Sequence, residues 1–188
     1  MYNGIEKENP EKGDTYEGAE WIENAYIKKV NVKHPTLGEF NFLPHKESPF
    51  KFIQYNHNYL TCSFYILTTR NFGESGVQKI DERMHKLGDN AIIIKQPDFF
   101  LNQLKKTLEN TNYSFQYGIV NYMDLSGIRK YDMNPFIKKI EHSYQREFRI
   151  VIKNQLNRKY IRIGSIKEYA EMVSSNLLIE ADWEVNRH

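Results

Sequence analysis

The chain has 188 residues, a single cysteine and a formal net charge of +2. This length predicts one domain, 1–188, with a sizeable buried core. The nearly balanced charge gives no indication of nucleic acid or an anionic membrane as the partner. A lone cysteine excludes an internal disulfide and a cysteine-rich zinc site.

Neither a membrane span nor a secretory leader is expected. No apolar run approaches the roughly 18–20 residues that a membrane-spanning helix needs. The opening sequence, M-Y-N-G-I-E-K-E-N-P, lacks the apolar core of a signal peptide. We therefore expect a cytoplasmic protein with no membrane partner.

Residues 1–20 are rich in glycine and charge, which predicts a polar entry loop. Within it, the segment G-D-T-Y-E-G at 13–18 places two acids, Asp14 and Glu17, between glycines. Two interpretations stay open. One is a turn in which Asp14 bonds its own backbone, and the other is a pair of acids on a tight loop that faces a ligand.

Strands are predicted at 21–32 and 39–43 with a turn at 34–38 between them, so a hairpin is expected. A third strand is predicted at 58–67, and its two faces differ. One face is apolar and includes Cys62, which we expect to be buried. The other face carries Thr61 and Ser63 among tyrosines. That face is either an ordinary polar sheet surface or the lining of a pocket.

Helical spacing of apolar residues predicts helices at 77–87, 97–108 and 165–173. Further strands are predicted at 90–95, 113–123, 160–163 and 177–185. Strands outnumber helices and do not alternate with them regularly. We therefore expect an α+β fold with a mixed, mostly antiparallel sheet and three to four helices packed on it.

The segment 136–153 changes its apolar period partway along. Positions up to Tyr144 follow helical spacing, whereas Phe148, Ile150 and Ile152 alternate at strand spacing. A helix is therefore predicted to lead into a strand. Gln145 and Glu147 lie where the two elements meet.

On an extended backbone, Gln145 and Glu147 would point to one face, about 7 Å apart. A carboxylate there can bond a ribose hydroxyl and stabilise an oxocarbenium-like centre, while the amide orients a nucleophile. Arg149, on the same face, would pair with a phosphate or neutralise Glu147. An ordinary ion pair at the strand entry is the alternative. Candidate catalytic residues are Glu147 and Gln145; candidate binding residues are Asp14, Glu17, Thr61, Ser63 and Arg149.

No metal site is predicted, because the six histidines are scattered and no acid stands at metal-ligand spacing from them. The sequence also has no phosphate loop, no dinucleotide-binding glycine pattern and no H-E-x-x-H motif. The residues by themselves therefore predict no cofactor.

Five segments of the chain carry a family resemblance. They are G-D-T-Y-E-G-A at 13–19, C-S-F-Y-I-L at 62–67, I-D-E-R-M-H-K-L-G-D-N-A-I-I-I at 80–94, G-I-V-N-Y-M-D at 118–124 and F-I-K-K-I-E-H-S-Y-Q-R-E-F-R-I at 136–150. Together they resemble uncharacterised bacterial and phage proteins of the domain-of-unknown-function 2971 type. That type has an early acid pair, a C-F-S strand in the middle and an E-x-E-x-R strand late.

The resemblance implies a phage- or mobile-element-borne protein with a role in conflict between phage and host. The function that we favour from it is binding and inhibition of a host or defence-system protein. The motif order is also similar to that of ADP-ribosyltransferases, which implies a NAD-dependent alternative. Gln145 and Glu147 would then lie in the catalytic loop and strand, with Thr61 or Ser63 on the supporting strand. Nucleic-acid binding through Lys and Tyr faces is a third and weaker option.

Overall fold

Strands dominate the structure, and most of them pair antiparallel. The computed structural model describes residues 14–43, 49–55, 59–72, 76–111, 113–153 and 160–184. The strands are β1 (Ala19–Ala25), β2 (Val30–His34), β3 (Gly38–Phe42), β4 (Phe50–Tyr55), β5 (Tyr59–Tyr65), β6 (Val77–Gln78), β7 (Asn90–Ile94), β8 (Phe115–Ile119), β9 (Asn121–Met123), β10 (Lys130–Asp132), β11 (Ile137–Lys139), β12 (Glu147–Lys153), β13 (Ala170–Ser174) and β14 (Trp183–Glu184). They form several small sheets rather than one.

Helices are few and mostly short. The two α-helices are α1 (Pro97–Glu109) and α2 (Ser175–Glu180), and the 3₁₀ helices are Thr69–Phe72, Glu82–Leu87 and Ile140–Gln145. In the described part of the chain, α1 is the only helix longer than six residues. Proline occupies its first turn, where a missing N–H costs nothing.

The central sheet has the strand order β5-β12-β8 and is antiparallel throughout. On one face of β12, Ile150 and Ile152 pack against the buried side of α1. That side is built from Phe100, Leu104 and Leu108, spaced four residues apart so that they share one stripe of the helix. Alternation along β12 sends its intervening residues to the opposite face, where the candidate site lies.

A second sheet, β10-β1-β4, has its own core of buried residues. Ile22 at its centre is fully buried. The members of this core are Tyr16, Ala19, Ile22, Leu125, Tyr131 and Met133. The side-chain amide of Asn24 ties β1 to the loop between β9 and β10 by donating to the carbonyls of Leu125 and Gly127, at 2.8 and 2.9 Å.

The β2–β3 hairpin continues from the ribbon formed by β1 and β4. Ala25 at the end of β1 pairs with Phe50 at the start of β4, and all of β2 and β3 lies between them in sequence. We call β2, β3 and their turn, Val30–Phe42, the distal hairpin. Its turn is where the sequence predicts one. His34 Nδ1 accepts from the backbone N–H of Thr36, at 3.2 Å, and Gly38 takes a positive φ of 80°.

The α+β prediction holds in part. The described residues form a strand-rich, mostly antiparallel fold with one parallel pair, β9–β11, but several small sheets take the place of the single predicted sheet and helices are few. The helix predictions are less accurate. The helix predicted at 97–108 is present. At 77–87 the chain instead begins with β6, because Val77 pairs with Glu184 of β14. A 3₁₀ helix without a buried residue follows. At 165–173 a turn leads into β13, whose partner is β7.

Other predicted elements also change. The segment 136–144, predicted as a helix, is β11 followed by a 3₁₀ helix. The region 177–185, predicted as a strand, contains most of α2 and then β14, and 160–163 forms no strand. Cys62 is exposed rather than buried. Of the predicted entry loop, 1–13 lies outside the described residues, 15–18 forms a turn, and Ala19 begins β1.

Candidate functional site

A buried ion cluster joins the start of β12 to β11. Glu147, Arg149 and Lys138 are 5%, 3% and 8% exposed. Glu147 Oε1 accepts from Lys138 Nζ at 2.8 Å, and Glu147 Oε2 accepts from Arg149 Nη2 at 2.7 Å. Both carboxylate oxygens are therefore engaged by cations, which is what a charge removed from water requires.

Arg149 is held from three sides. Its Nε donates to Ser63 Oγ on β5 at 3.0 Å, and its Nη1 donates to the carbonyl of Pro135 at 2.6 Å. Ser63 is directly opposite Arg149 in the β5–β12 register, so the period-two pattern that predicted a shared face is correct here. The planar guanidinium suits this fixed fork of partners.

Gln145 reaches the cluster by a different route from the one the sequence predicts. It ends a 3₁₀ helix, and the next residue, Arg146, has a left-handed backbone with φ 41° and ψ 58°. The backbone between Gln145 and Glu147 is thus not extended. The two side chains still meet, because Lys138 Nζ donates to Gln145 Oε1 at 2.6 Å as well as to Glu147.

The Glu147 carboxyl is held as an anion. Burial alone would raise its pKa, but the charges of Arg149 and Lys138 and their hydrogen bonds outweigh burial and lower the pKa from 4.5 to about 2. A group with so low a pKa cannot serve as a general acid near neutral pH. It can act only as a fixed negative charge, and its two cations neutralise that charge.

Tyr122 of β9 contacts the backbone of the ion cluster at the start of β12. Its hydroxyl oxygen accepts from the backbone N–H of Glu147 at 2.9 Å. Burial raises the pKa of Tyr122, so the phenol stays protonated and keeps its own proton for donation. This contact fixes the backbone where the 3₁₀ helix turns into β12.

A cavity of about 240 Å³ adjoins the cluster. Its polar lining comes from the turn before β1, from β5, from β11 and from the start of β12, and Met84 and Leu87 form an apolar wall. The lining residues are Glu17, Thr61, Ser63, Phe64, Tyr65, Met84, Leu87, Lys138, Gln145, Glu147 and Arg149. The face of β5 that carries Thr61 and Ser63 is therefore the lining of a pocket.

The acid pair of the 13–18 segment separates. Asp14 is buried and accepts from the backbone N–H of Tyr16 at 2.9 Å, as the turn interpretation requires. Glu17 instead enters the cavity, where its Oε1 accepts from the Thr61 hydroxyl at 2.6 Å. The structure thus brings together every predicted site residue except Asp14.

Lys138 is the site residue that the sequence analysis did not find. It is the first lysine of F-I-K-K-I, where a helical interpretation gives no reason to bury it. Its burial follows from the parallel pairing of β11 with β9, in which Lys138 is opposite Tyr122. The detectable signal is local: Ile137-Lys138-Lys139 also fits a strand, in which the two lysines take opposite faces.

In the ranges that the structure describes, no group of three or more His, Cys, Asp or Glu side chains is arranged to hold a metal ion. Nor does any helix there have the length and apolar character needed to cross a membrane. In comparisons with known proteins, no family model, no curated protein and no solved structure matches the chain.

Proposed function

We propose that the protein binds a partner protein through the distal hairpin and inhibits that partner by covering part of its surface. The supporting observation is an apolar, partly exposed face of the hairpin. In the β2–β3 register, Val30 is opposite Phe42 and Val32 is opposite Phe40. Directly opposed residues share a face, so these four side chains form one apolar patch.

This patch is about half open to solvent, since Phe40 and Phe42 are 47% and 49% exposed and Val30 and Val32 are half-buried. Burying a phenylalanine fully is worth about 1.5–3 kcal/mol, so burying the exposed half of both would contribute roughly 1.5–3 kcal/mol to an interface. Aromatic anchors of this kind dominate binding energy at protein interfaces. Leu37 in the turn and Leu43 just after β3 are exposed as well.

The other face of the hairpin is polar. It carries Asn31 and Asn41 and an exposed ion pair between Lys33 and Glu39, with a distance of 2.8 Å. A two-stranded hairpin is only marginally stable alone in water. A partner that covers the apolar face would supply the missing packing and leave the polar face in solvent.

The charge near the hairpin indicates the charge that the partner's surface should carry. Lys28, Lys29 and Lys33 are exposed, and Glu39 is the only acid within 26–43 of this described segment. Such an excess of positive charge favours an interface with acidic residues at its rim. We therefore propose a partner with an apolar groove edged by carboxylates. The family resemblance suggests a bacterial host or defence-system protein.

The test is affinity capture from bacterial lysate with a matched pair of variants. Phe40→Ser with Phe42→Ser removes the apolar face, and Asn31→Ser with Asn41→Ser makes the same number of changes on the polar face. We expect the wild type and the polar-face variant to capture one partner in stoichiometric amount, with at least tenfold weaker binding by the apolar-face variant.

A further variant tests the proposed rim. Lys28→Glu with Lys29→Glu should slow association, and the difference from wild type should shrink at high salt. Equal capture by all variants, failure to capture a stoichiometric partner, or self-association through the hairpin in gel filtration would each contradict the proposal.

A NAD-dependent ADP-ribosyltransferase is the second candidate. The observation that favours it is that Gln145, Glu147, Thr61 and Ser63 line one cavity. It ranks below protein binding because both oxygens of Glu147 already accept from Lys138 and Arg149, leaving little of the carboxylate for a ribose hydroxyl. Labelled NAD incubated with lysate decides it: Glu147→Gln must abolish the labelling. Equal labelling by the two proteins, or none by either, excludes this activity.

A further inference from the structure

The cavity beside the ion cluster contains two opposite charges that do not pair with each other. Glu17 Oε1 accepts from Thr61, and its second oxygen has no partner among the described residues. Lys138 Nζ donates to Gln145 and Glu147, which uses two of its three protons. One wall therefore offers a carboxylate oxygen and another offers an ammonium proton.

The overall charge of the lining limits what can bind. Glu17 and Glu147 are balanced by Lys138 and Arg149, so the site is close to neutral. A ligand with one net charge would leave that charge uncompensated in a partly buried site. A neutral or zwitterionic ligand avoids this cost, and a zwitterion can satisfy both unused positions.

Size and polarity narrow the ligand class further. At about 240 Å³, the cavity is smaller than the roughly 300–1,000 Å³ of pockets that hold drug-sized ligands. Met84 and Leu87 line it with apolar surface. Tyr65 adds a phenol to the lining, within reach of the Arg146 guanidinium.

From these groups we propose that the cavity binds a small zwitterion, an α-amino acid with an apolar side chain. Its ammonium group would bond Glu17, its carboxylate would bond Lys138, and its side chain would pack on Met84 and Leu87. This site is independent of the distal hairpin and of the partner proposed for it.

The test is calorimetric titration of the full chain with L-leucine and L-methionine, together with single-ended analogues. The analogues are isoamylamine, which lacks the carboxylate, and 4-methylpentanoate, which lacks the ammonium group. We expect the amino acids to bind at least about tenfold more tightly than either analogue, since each lost end removes one charge-assisted hydrogen bond.

Two variants locate the site. Glu17→Gln keeps the shape of a half-buried side chain, so it should fold, and it should weaken amino-acid binding about tenfold without weakening 4-methylpentanoate binding. Glu168→Gln makes the same change at an exposed position and should bind as wild type. The apolar-face hairpin variant should also bind amino acids normally, which separates this proposal from partner binding.

Three results would overturn the proposal. They are a dissociation constant weaker than about 1 mM for both amino acids, equal binding of a single-ended analogue, and an unchanged affinity in Glu17→Gln.

Discussion

Replacing Glu147 by glutamine tests the role of the buried ion cluster most directly. The substitution keeps the size of the side chain and removes its charge. Lys138 and Arg149 then remain buried without a counter-ion, at 8% and 3% exposure. The new amide also points a donor at one of these two cations, which are themselves donors only.

The expected cost is large. Breaking a buried ion pair by removing one partner destabilises proteins by about 3–5 kcal/mol. Typical domains have a total unfolding free energy of about 5–15 kcal/mol. For a chain of this size, about 3–5 kcal/mol lowers Tm by roughly 6–20 °C.

The pH dependence provides an independent measure of the same interaction. The pKa of Glu147 is about 2 in the folded protein and 4.5 ordinarily. Because the folded pKa is the lower one, this stabilisation is complete above pH 4.5 and is lost as the pH falls towards 2. The shift corresponds to about 3 kcal/mol. Glu147→Gln should lack this part of the loss of stability at acid pH.

Urea denaturation of wild type and Glu147→Gln at pH 7 and at pH 3 gives both quantities. The matched control is Glu39→Gln, which breaks the exposed ion pair with Lys33 and should cost no more than about 1 kcal/mol. If Glu147→Gln lowers the free energy of unfolding as little as the control does, the expected role of the ion cluster is refuted. It is also refuted if wild type and Glu147→Gln lose the same free energy of unfolding between pH 7 and pH 3.

Three further outcomes are expected. Arg146→Gly should be more stable than Arg146→Ala by about 1 kcal/mol in urea denaturation, because φ is 41° there and glycine, unlike alanine, takes that backbone without strain; equal stabilities would contradict this. Leu108→Ala should cost about 2–5 kcal/mol, since Leu108 is fully buried against the central sheet, whereas Leu177→Ala, at an exposed position, should cost less than about 0.5 kcal/mol. In thermal unfolding, Asn24→Asp should lower Tm by several degrees, because a carboxylate would face the two carbonyls that the Asn24 amide now bonds.

Local signals made part of this fold predictable. The distal hairpin follows from a turn whose bonds lie within 34–38, and α1 follows from Pro97 and a regular apolar stripe. Both elements form their defining contacts over a few residues. The shared face of Thr61 and Ser63 on β5 was predictable for the same reason, since alternation along a strand is local, whereas alternation could not decide that this face lines a pocket.

Non-local pairing accounts for the failures. The segment 165–173 has a helical apolar pattern, yet Ala170–Ser174 forms a strand because β7, some 80 residues earlier in the chain, pairs with it. Lys138 joined the site only because β11 pairs with β9. The side chains of Gln145 and Glu147 meet as predicted, but the extended backbone predicted between them is wrong, because the left-handed turn at Arg146 cannot be recognised without a glycine or asparagine to mark it.

The free-energy cost of burying the ion cluster suggests a reason for its position beside a cavity. Well-packed apolar side chains of similar volume often stabilise a fold as well as a buried ion pair or better, because two or three charges must be taken out of water. Stability alone therefore gives no reason for Lys138, Glu147 and Arg149 to occupy buried positions of β11 and β12. A cavity that must recognise a zwitterionic ligand does give one, because a polar group fixed by its neighbours loses little freedom when it binds. In that view Glu147 and Gln145 hold the Lys138 ammonium in place, and the direct contacts of the ligand are with Lys138 and Glu17.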